Sequence, residues 1–295
     1  MTSADASPRR AGIIGRPVAQ SLSPVFQRAA FAACGLDATY DAWDTGAEAL
    51  HGRIVSLRGA GYLGANVTIP YKELVIPHLD ELGGSSARVG AVNTIVNRAG
   101  RLYGFNTDGP GFVAALRNEA HFEPAGRTFL LLGAGGAARG IAFALAEAKA
   151  GKLTILNRSA ARAERLAEDV SAVAGARATA LTAEPARTLT EAYDCIVNCT
   201  SIGMHGSGSE FELPVSLDGV APDVLVVDVV YAPEETPLLR EARALGMPAL
   251  GGLPMLIYQG ALAFELWTGV PAPIDVMFDA ARKGLVERAA RAATT

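Results

Sequence analysis

The 295-residue chain is half hydrophobic, and its 26 Lys and Arg stand against 30 Asp and Glu, a formal net charge of −4. That balance leaves no basic footprint for nucleic acid, and no apolar run approaches the roughly 20 residues that cross a bilayer. Neither a nucleic acid nor a membrane is therefore an expected partner, and the length suggests about two domains. Cys34, Cys195 and Cys199 are odd in number and form no CxxC pair, which fits reduced, buried thiols in a cytoplasmic protein. His51, His78, His121 and His205 lie far apart in sequence, so no metal site is expected. Residues 1–10 lack an apolar signal core and read as a loose tail.

The first strand is Ala11–Gly15, followed by Ser21-Leu22-Ser23-Pro24. Ser23-Pro24 has the form of a helix start, Ser as N-cap and Pro at the first helical position. With Ser21 beside it, the two hydroxyls and free backbone N–H groups read as a small anion site suited to a carboxylate. A second strand is expected over Tyr40–Trp43 and a helix over 47–57. The next stretch, Asn66-Val67-Thr68-Ile69-Pro70-Tyr71-Lys72, sets Asn66 and Thr68 on one face of a short strand that Pro70 ends. Lys72 lies just past that end, so the segment reads as one wall of an active site. Val75–Leu82 reads as a helix or turn. Gly90–Val96 and Leu102–Gly109 form a hairpin around Asn97–Gly100. Asn93 and Asp108 fall where polar groups would face a cleft, although Asp108-Gly109-Pro110 is also the form of a helix start.

Arg127–Leu132 is a continuous apolar strand of the kind buried in parallel sheets. Gly133-Ala134-Gly135-Gly136-Ala137-Ala138 follows, then a helix over Arg139–Ala148 and a strand over Lys152–Leu156. This is a dinucleotide fingerprint in its strand–turn–helix setting. An NAD-binding unit would end its second strand in Asp or Glu. Here stand Asn157-Arg158-Ser159 with Arg162 one turn on, which suits the 2′-phosphate of NADP; solvated helix-start charges are the other reading of the two arginines. Strands Cys195–Cys199 and Leu225–Tyr231 complete the sheet, and their carboxyl ends make Thr200, Met204 and Tyr231 candidates to line the nicotinamide end. Thr236-Pro237 starts a helix. Gly251–Gly260 reads as a loop running into an apolar helix in which Gln259 is the polar exception, and Ile274–Ala292 reads as a last helix. The C-terminal helices are expected to fold back on the first domain.

Taken in order, Ser21-x-Ser23-Pro24, Asn66-Val67-Thr68-Ile69-Pro70-x-Lys72, Gly90–Thr94, Asn106-Thr107-Asp108-Gly109, Gly133–Arg139, Asn157-Arg158-Ser159, Thr200–Met204 and Gln259 resemble the shikimate dehydrogenase family over nearly the whole chain. The resemblance implies an α/β fold: an N-terminal α/β substrate domain (11–110) closed by C-terminal helices (250–295), with an NADP-binding Rossmann domain (111–249). It implies reversible hydride transfer between NADP(H) and shikimate or 3-dehydroshikimate, with Lys72 and Asp108 as the catalytic pair. Ser21 and Ser23 would hold the substrate carboxylate, and Thr68, Asn93, Asp108 and Gln259 its ring hydroxyls, with Tyr231 also on the substrate side. Gly133, Ala134, Gly135, Gly136, Ala137, Asn157, Arg158, Ser159, Arg162, Thr200, Met204 and Gly252 would hold the cofactor. Gln20, Gln27-Arg28 and Pro254 depart from the family pattern around the substrate pocket. Quinate or aminoshikimate therefore stays open as the ring acid, as does a catalytically silent NADP-binding sensor. A monomer or homodimer is expected.

Overall fold

The computed structural model describes residues 8–172, 177–182, 189, 191–204 and 215–292. The chain divides into two compact units. One comprises the residues up to Thr107 together with the chain from Ile257 onward, and the other is Asp108–Leu256.

In the first unit the chain runs β1 (Arg9–Gly15), α1 (Ser23–Ala33), β2 (Ala38–Asp44), α2 (Leu50–Ser56), β3 (Gly64–Val67), β4 (Glu81–Leu82), α3 (Ser86–Val89), β5 (Thr94–Arg98) and β6 (Arg101–Phe105). The sheet order is β2-β1-β3-β5-β6-β4. β1 runs parallel to β2 and β3, whereas β5 is antiparallel to both β3 and β6. Ile14, Val67 and Ile95 from the strands pack with Ile54 and Leu57 of the α2 segment and with Trp43 and Tyr71. Arg9 and Arg10, expected in a loose tail, belong to β1: they pair with Ala38 and Thr39 of β2. The rest of that expected tail, residues 1–7, lies outside the described residues. The hairpin turn is narrower than expected. Ala99 (φ 53°) and Gly100 (φ 86°) make a two-residue turn with both residues left-handed, the twist that antiparallel strands favour. The Asn97 side chain accepts the Gly100 N–H at 2.8 Å.

The second unit runs α4 (Asp108–Glu119), β7 (Thr128–Leu132), α5 (Gly136–Glu147), β8 (Lys152–Asn157), α6 (Ala160–Ser171), β9 (Ala178–Thr182), β10 (Cys195–Asn198), β11 (Leu225–Asp228), α7 (Pro237–Ala244) and β12 (Ala249–Leu250). Its sheet is wholly parallel, in the order β12-β11-β10-β7-β8-β9. The chain winds outward from β7 in both directions, so the order reverses between β7 and β10, the switch point where such sheets take a ligand. Phe129, Leu130, Leu131 and Leu132 are fully buried, as an apolar run in a parallel strand requires. α4 and α5 meet through small residues: a Cβ on Gly109 would lie 2.3 Å from the Gly140 carbonyl oxygen.

Two helices close the chain, α8 (Leu253–Thr268) and α9 (Ile274–Ala292), and α9 packs on α1. α8 begins at Leu253, within the Gly251–Gly260 stretch expected to run from loop into helix, and Pro254 is tolerated because it needs no backbone N–H in a first helical turn. Gln259 therefore sits inside a helix. Among the described residues no helix is long and apolar enough to cross a membrane, and no cluster of three or more His, Cys, Asp or Glu could hold a metal. The fold does bring two of the separated histidines together: Nδ1 of His51 lies 3.3 Å from Nδ1 of His78. His205 lies outside the described residues.

Burial pushes the Cys195 and Cys199 thiols up from their ordinary range, while Cys34 is only half-buried. A thiolate-directed reagent is expected to label Cys34 at least about 10-fold faster than the other two in native protein. Mass-spectrometric mapping of the labelled positions checks this, and equal labelling of all three would refute it.

Candidate active site

The topology of the first unit collects its polar residues at one sheet edge. β1 and β3 end there, β5 begins there because it runs the other way, and β6 ends there. Ser21 follows β1, Thr68 follows β3, Asn93 precedes β5 and Thr107 follows β6. Backbone bonds hold the edge: Thr68 N–H donates to Ile14 C=O (2.8 Å), Val67 N–H to Asn93 C=O (2.8 Å) and Asn93 N–H to Phe105 C=O (3.0 Å). Gly15 is needed for this approach, since a Cβ there would fall 2.3 Å from the Thr68 methyl.

A continuous buried hydrogen-bond network runs behind the edge. The Asn93 side chain accepts the Thr107 N–H at 2.7 Å and donates to the Thr107 hydroxyl at 2.9 Å and to Gln259 Oε1 at 3.3 Å. Asn66 donates to the Asn93 carbonyl (3.2 Å) and to Thr94 Oγ1 (3.1 Å). Its Oδ1 accepts the Tyr40 hydroxyl at 2.7 Å. Burial raises the Tyr40 phenol far above its ordinary range, and a hydrogen bond with Ser23 pulls the other way. Tyr40, Asn66, Asn93 and Gln259 are thus joined in one network. Asn66 belongs to the scaffold and is fully engaged by its neighbours.

The reading of Ser23 as an N-cap is corrected. Ser23 is the first residue of α1, Leu22 occupies the cap position, and no side chain caps the helix. The Ser23 N–H is not free either; it donates to Ser21 Oγ at 3.2 Å. That bond leaves the Ser21 hydroxyl its own proton to donate. Arg288 of α9 fixes this loop by donating to the Ser21 carbonyl at 2.7 Å and to the Gln20 carbonyl. Gln27 donates to the Gly260 carbonyl at 2.8 Å, which ties α1 to the helix carrying Gln259. Its Oε1 is buried with no partner.

Lys72 is half-buried, and its carbonyl accepts the Val92 N–H at 2.7 Å. Asp108 is buried and opens α4, directly after Thr107 in the chain. Thr107 and Tyr40 are residues the sequence did not single out for a role in the site, and Gln27 stood out only as a departure from the family pattern beside the pocket. A buried tyrosine whose hydroxyl must find a partner was the available signal for Tyr40.

In the second unit the glycine turn leaves β7 at Gly133 (φ 110°), and α5 begins at Gly136 with Gly135 extended before it and no side-chain cap. Uncapped N–H groups at the positive end of a 12-residue helix, reached over side-chain-free glycines, fit a pyrophosphate. At the end of β8, Asn157 donates to the Ser159 carbonyl at 3.0 Å and shapes the turn. Arg158, Ser159 and Arg162 are exposed, and among the described residues neither arginine enters an ion pair. This donor set fits a dinucleotide bearing a 2′-phosphate. Thr200 is half-buried, with its hydroxyl donating to Asn198 Oδ1 at 2.6 Å, and Met204 is exposed. Tyr231 is half-buried, and a Cβ on Gly252 would lie 2.3 Å from the Val229 carbonyl oxygen.

β11 stops at Asp228, short of the expected Tyr231, because the Asp228 carboxylate turns back to accept the Val230 N–H at 3.0 Å. Burial raises the Asp228 carboxyl from its usual range, opposed by its bonds from Val230, Thr236 and Asn198. A carboxyl raised on folding binds its proton more tightly in the folded state. Its contribution to stability therefore grows as the pH falls through the raised value toward the ordinary carboxylate range, and is lost above it. The stability difference between the parent and Asp228→Asn should accordingly shift in the parent's favour on acidification across that window. Chemical denaturation at several pH values measures it, and a difference independent of pH would contradict the assignment.

Three family models match in chain order: Shikimate dehydrogenase substrate binding domain over residues 13–95, Shikimate / quinate 5-dehydrogenase over 116–205, and Shikimate 5'-dehydrogenase C-terminal domain over 252–282. The chain is 45% identical over 281 residues to Shikimate dehydrogenase (NADP(+)) of Methanopyrus kandleri, covering 94% of this chain and 96% of that one. Shikimate 5-dehydrogenase from Thermus thermophilus, solved in complex with NADP(H) and shikimate, is 42% identical, with a TM-score of 0.82 over 94% of this chain and all of that one. The ligand-free 5-ketofructose reductase of Gluconobacter sp. strain CHM43 is 34% identical, with a TM-score of 0.86 over 94% and 98% of the two chains. With matches of this identity and coverage, the chain belongs to the shikimate dehydrogenase family.

Proposed function

We propose that the protein is an NADP(H)-dependent oxidoreductase that interconverts 3-dehydroshikimate and shikimate, a cytoplasmic step toward the aromatic amino acids. The observation that carries this is the hydrogen-bonded sheet edge bearing Ser21, Thr68, Asn93 and Gln259, within the unit that matches the substrate-binding-domain family model. Ser21 and Ser23 offer hydroxyls to a carboxylate, and Thr68, Asn93, Asp108 and Gln259 hold ring hydroxyls, with Tyr231 alongside. The amide of Asn93 is immobilised by Thr107, so it meets a hydroxyl at little further entropic cost.

NADP(H), when bound, supplies or takes back the hydride at the ring carbon. Gly133, whose N–H is held by the Leu156 carbonyl, makes the turn, the N–H groups from Ala134 to Ala137 would cradle its pyrophosphate, and Asn157, Arg158, Ser159 and Arg162 would take its 2′-phosphate. Thr200, Met204 and Gly252 complete that wall. Lys72 donates a proton from its ammonium to the carbonyl oxygen as it becomes an alkoxide, and accepts one in the reverse direction. Asp108 accepts a hydrogen bond from a substrate hydroxyl.

A spectrophotometric assay of NADPH oxidation with 3-dehydroshikimate, and of NADP+ reduction with shikimate, quinate and aminoshikimate, tests the reading. The panel includes 5-ketofructose, because one structural neighbour is named for reducing it. Turnover of shikimate and 3-dehydroshikimate with the highest kcat/KM is expected. NADPH binding without turnover of any of these compounds would instead identify a sensor.

A further inference from the structure

Asp228 is a buried carboxylate of the second unit that three donors engage, and nothing in the proposed chemistry uses it. It is fully buried. Its Oδ1 accepts the Val230 N–H at 3.0 Å and the Asn198 amide at 3.0 Å, and its Oδ2 accepts the Thr236 hydroxyl at 2.7 Å. Each donor belongs to a different piece of the wall at the carboxyl ends of β10 and β11. Asn198 also donates to the Ile202 carbonyl at 3.1 Å, and its Oδ1 takes both the N–H (3.1 Å) and the hydroxyl (2.6 Å) of Thr200. The Thr200 methyl faces the glycine turn, 3.0 Å from where a Cβ on Gly133 would stand. Val230 leads into Tyr231, and its carbonyl accepts the Gly252 N–H at 3.2 Å. Thr236 caps α7 through the Leu239 N–H.

We infer that Asp228 is a positioning residue for the dinucleotide: one carboxylate holds the 199–203 loop, the 229–236 loop and the Gly252 backbone in a single arrangement before the cofactor arrives. The physical reason is acceptor capacity. Three donors converge on one point, and a carboxylate accepts from all three at once, whereas an amide accepts on only one side. Anionic character also strengthens each bond in a buried setting. The inference rests on the NADP(H) reading above and extends it to a residue that need not touch the cofactor.

The test is direct NADPH binding, followed by quenching of intrinsic fluorescence, together with KM values for both substrates. The variants are Asp228→Ala, the near-isosteric Asp228→Asn and a control, Val226→Ala, which removes buried volume from the same strand. Asp228→Ala should weaken NADPH binding at least about 10-fold, and Asp228→Asn about 3-fold or more, with the KM for shikimate, which meets this loop through Tyr231, changing by a smaller factor. Val226→Ala should lower Tm yet leave NADPH binding within about 2-fold. If Asp228→Ala does not fold, Asp228→Asn decides. Parent-like NADPH binding in the Asp228 variants, or equal weakening in Val226→Ala, would overturn the positioning role. Failure of the parent itself to bind NADPH would refute the underlying cofactor reading and is seen separately.

Discussion

Replacing Lys72 with alanine is expected to lower kcat by about 10²- to 10⁴-fold, the range lost when a positioned proton donor is removed, while KM for shikimate moves only a few-fold. In the reductive direction the Lys72 side chain supplies the proton that the developing alkoxide takes up. Its backbone is held independently of its ammonium. Tyr71, beside it, is buried and donates its hydroxyl to the Thr45 carbonyl at 2.7 Å, and its N–H donates to Thr68 C=O at 2.9 Å. The Lys72 carbonyl is fixed by Val92. Truncating the side chain therefore leaves the loop in place, and the loss reads as chemistry: kcat and kcat/KM should fall together, the mark of an interaction made only in the transition state. Steady-state kinetics in both directions, with Tm as a folding control, measure this. A variant retaining more than about half of kcat would remove Lys72 from the mechanism.

The parts of the fold legible in the sequence were those where one local rule acted alone. The buried run Phe129–Leu132 followed by glycines fixed a parallel strand and its turn, and Thr236-Pro237 fixed a helix start that the structure repeats with the Thr236 hydroxyl accepting the Leu239 N–H. Ile274–Ala292 matched in both bounds. What failed was decided by distant partners. The short edge strands β4, β9 and β12 carry little pattern of their own and exist because a neighbour offers its open edge. Ser23 satisfied the cap rule in sequence, but Ser21 took its N–H instead. The candidate site residues stood out in the sequence by type and spacing. Their support did not: the bonds from Tyr40 to Asn66, from Thr107 to Asn93 and from Asn198 to Asp228 join residues 14 to 30 positions apart.

The second large effect concerns the choice between the two nicotinamide cofactors. Arg158→Ala is expected to lower kcat/KM for NADP+ by about 10- to 100-fold, because a charge-assisted contact to phosphate contributes about 1.5–3 kcal/mol. Activity with NAD+, which lacks the phosphate, should stay within about 2-fold. The turn after β8 carries the reason. Asn157 ends the strand and braces the Ser159 carbonyl, and Arg158 and Arg162 stand exposed on its rim, with no carboxylate among residues 157–162 to repel a 2′-phosphate. Two guanidinium groups serving one phosphate make a coupled pair. Arg158→Ala with Arg162→Ala should therefore cost less or more than the sum of the single changes, and the departure from additivity measures their cooperation. Exposed charges are also screened, so the parent's preference for NADP+ over NAD+ should narrow as ionic strength rises from about 0.01 M to 1 M, over which the Debye length falls from about 30 to 3 Å. In the double variant that salt dependence should largely vanish. Kinetics with each cofactor across this salt series decide the matter: if Arg158→Ala keeps the parent's kcat/KM for NADP+, the two arginines are solvated helix-start charges and the selectivity resides elsewhere.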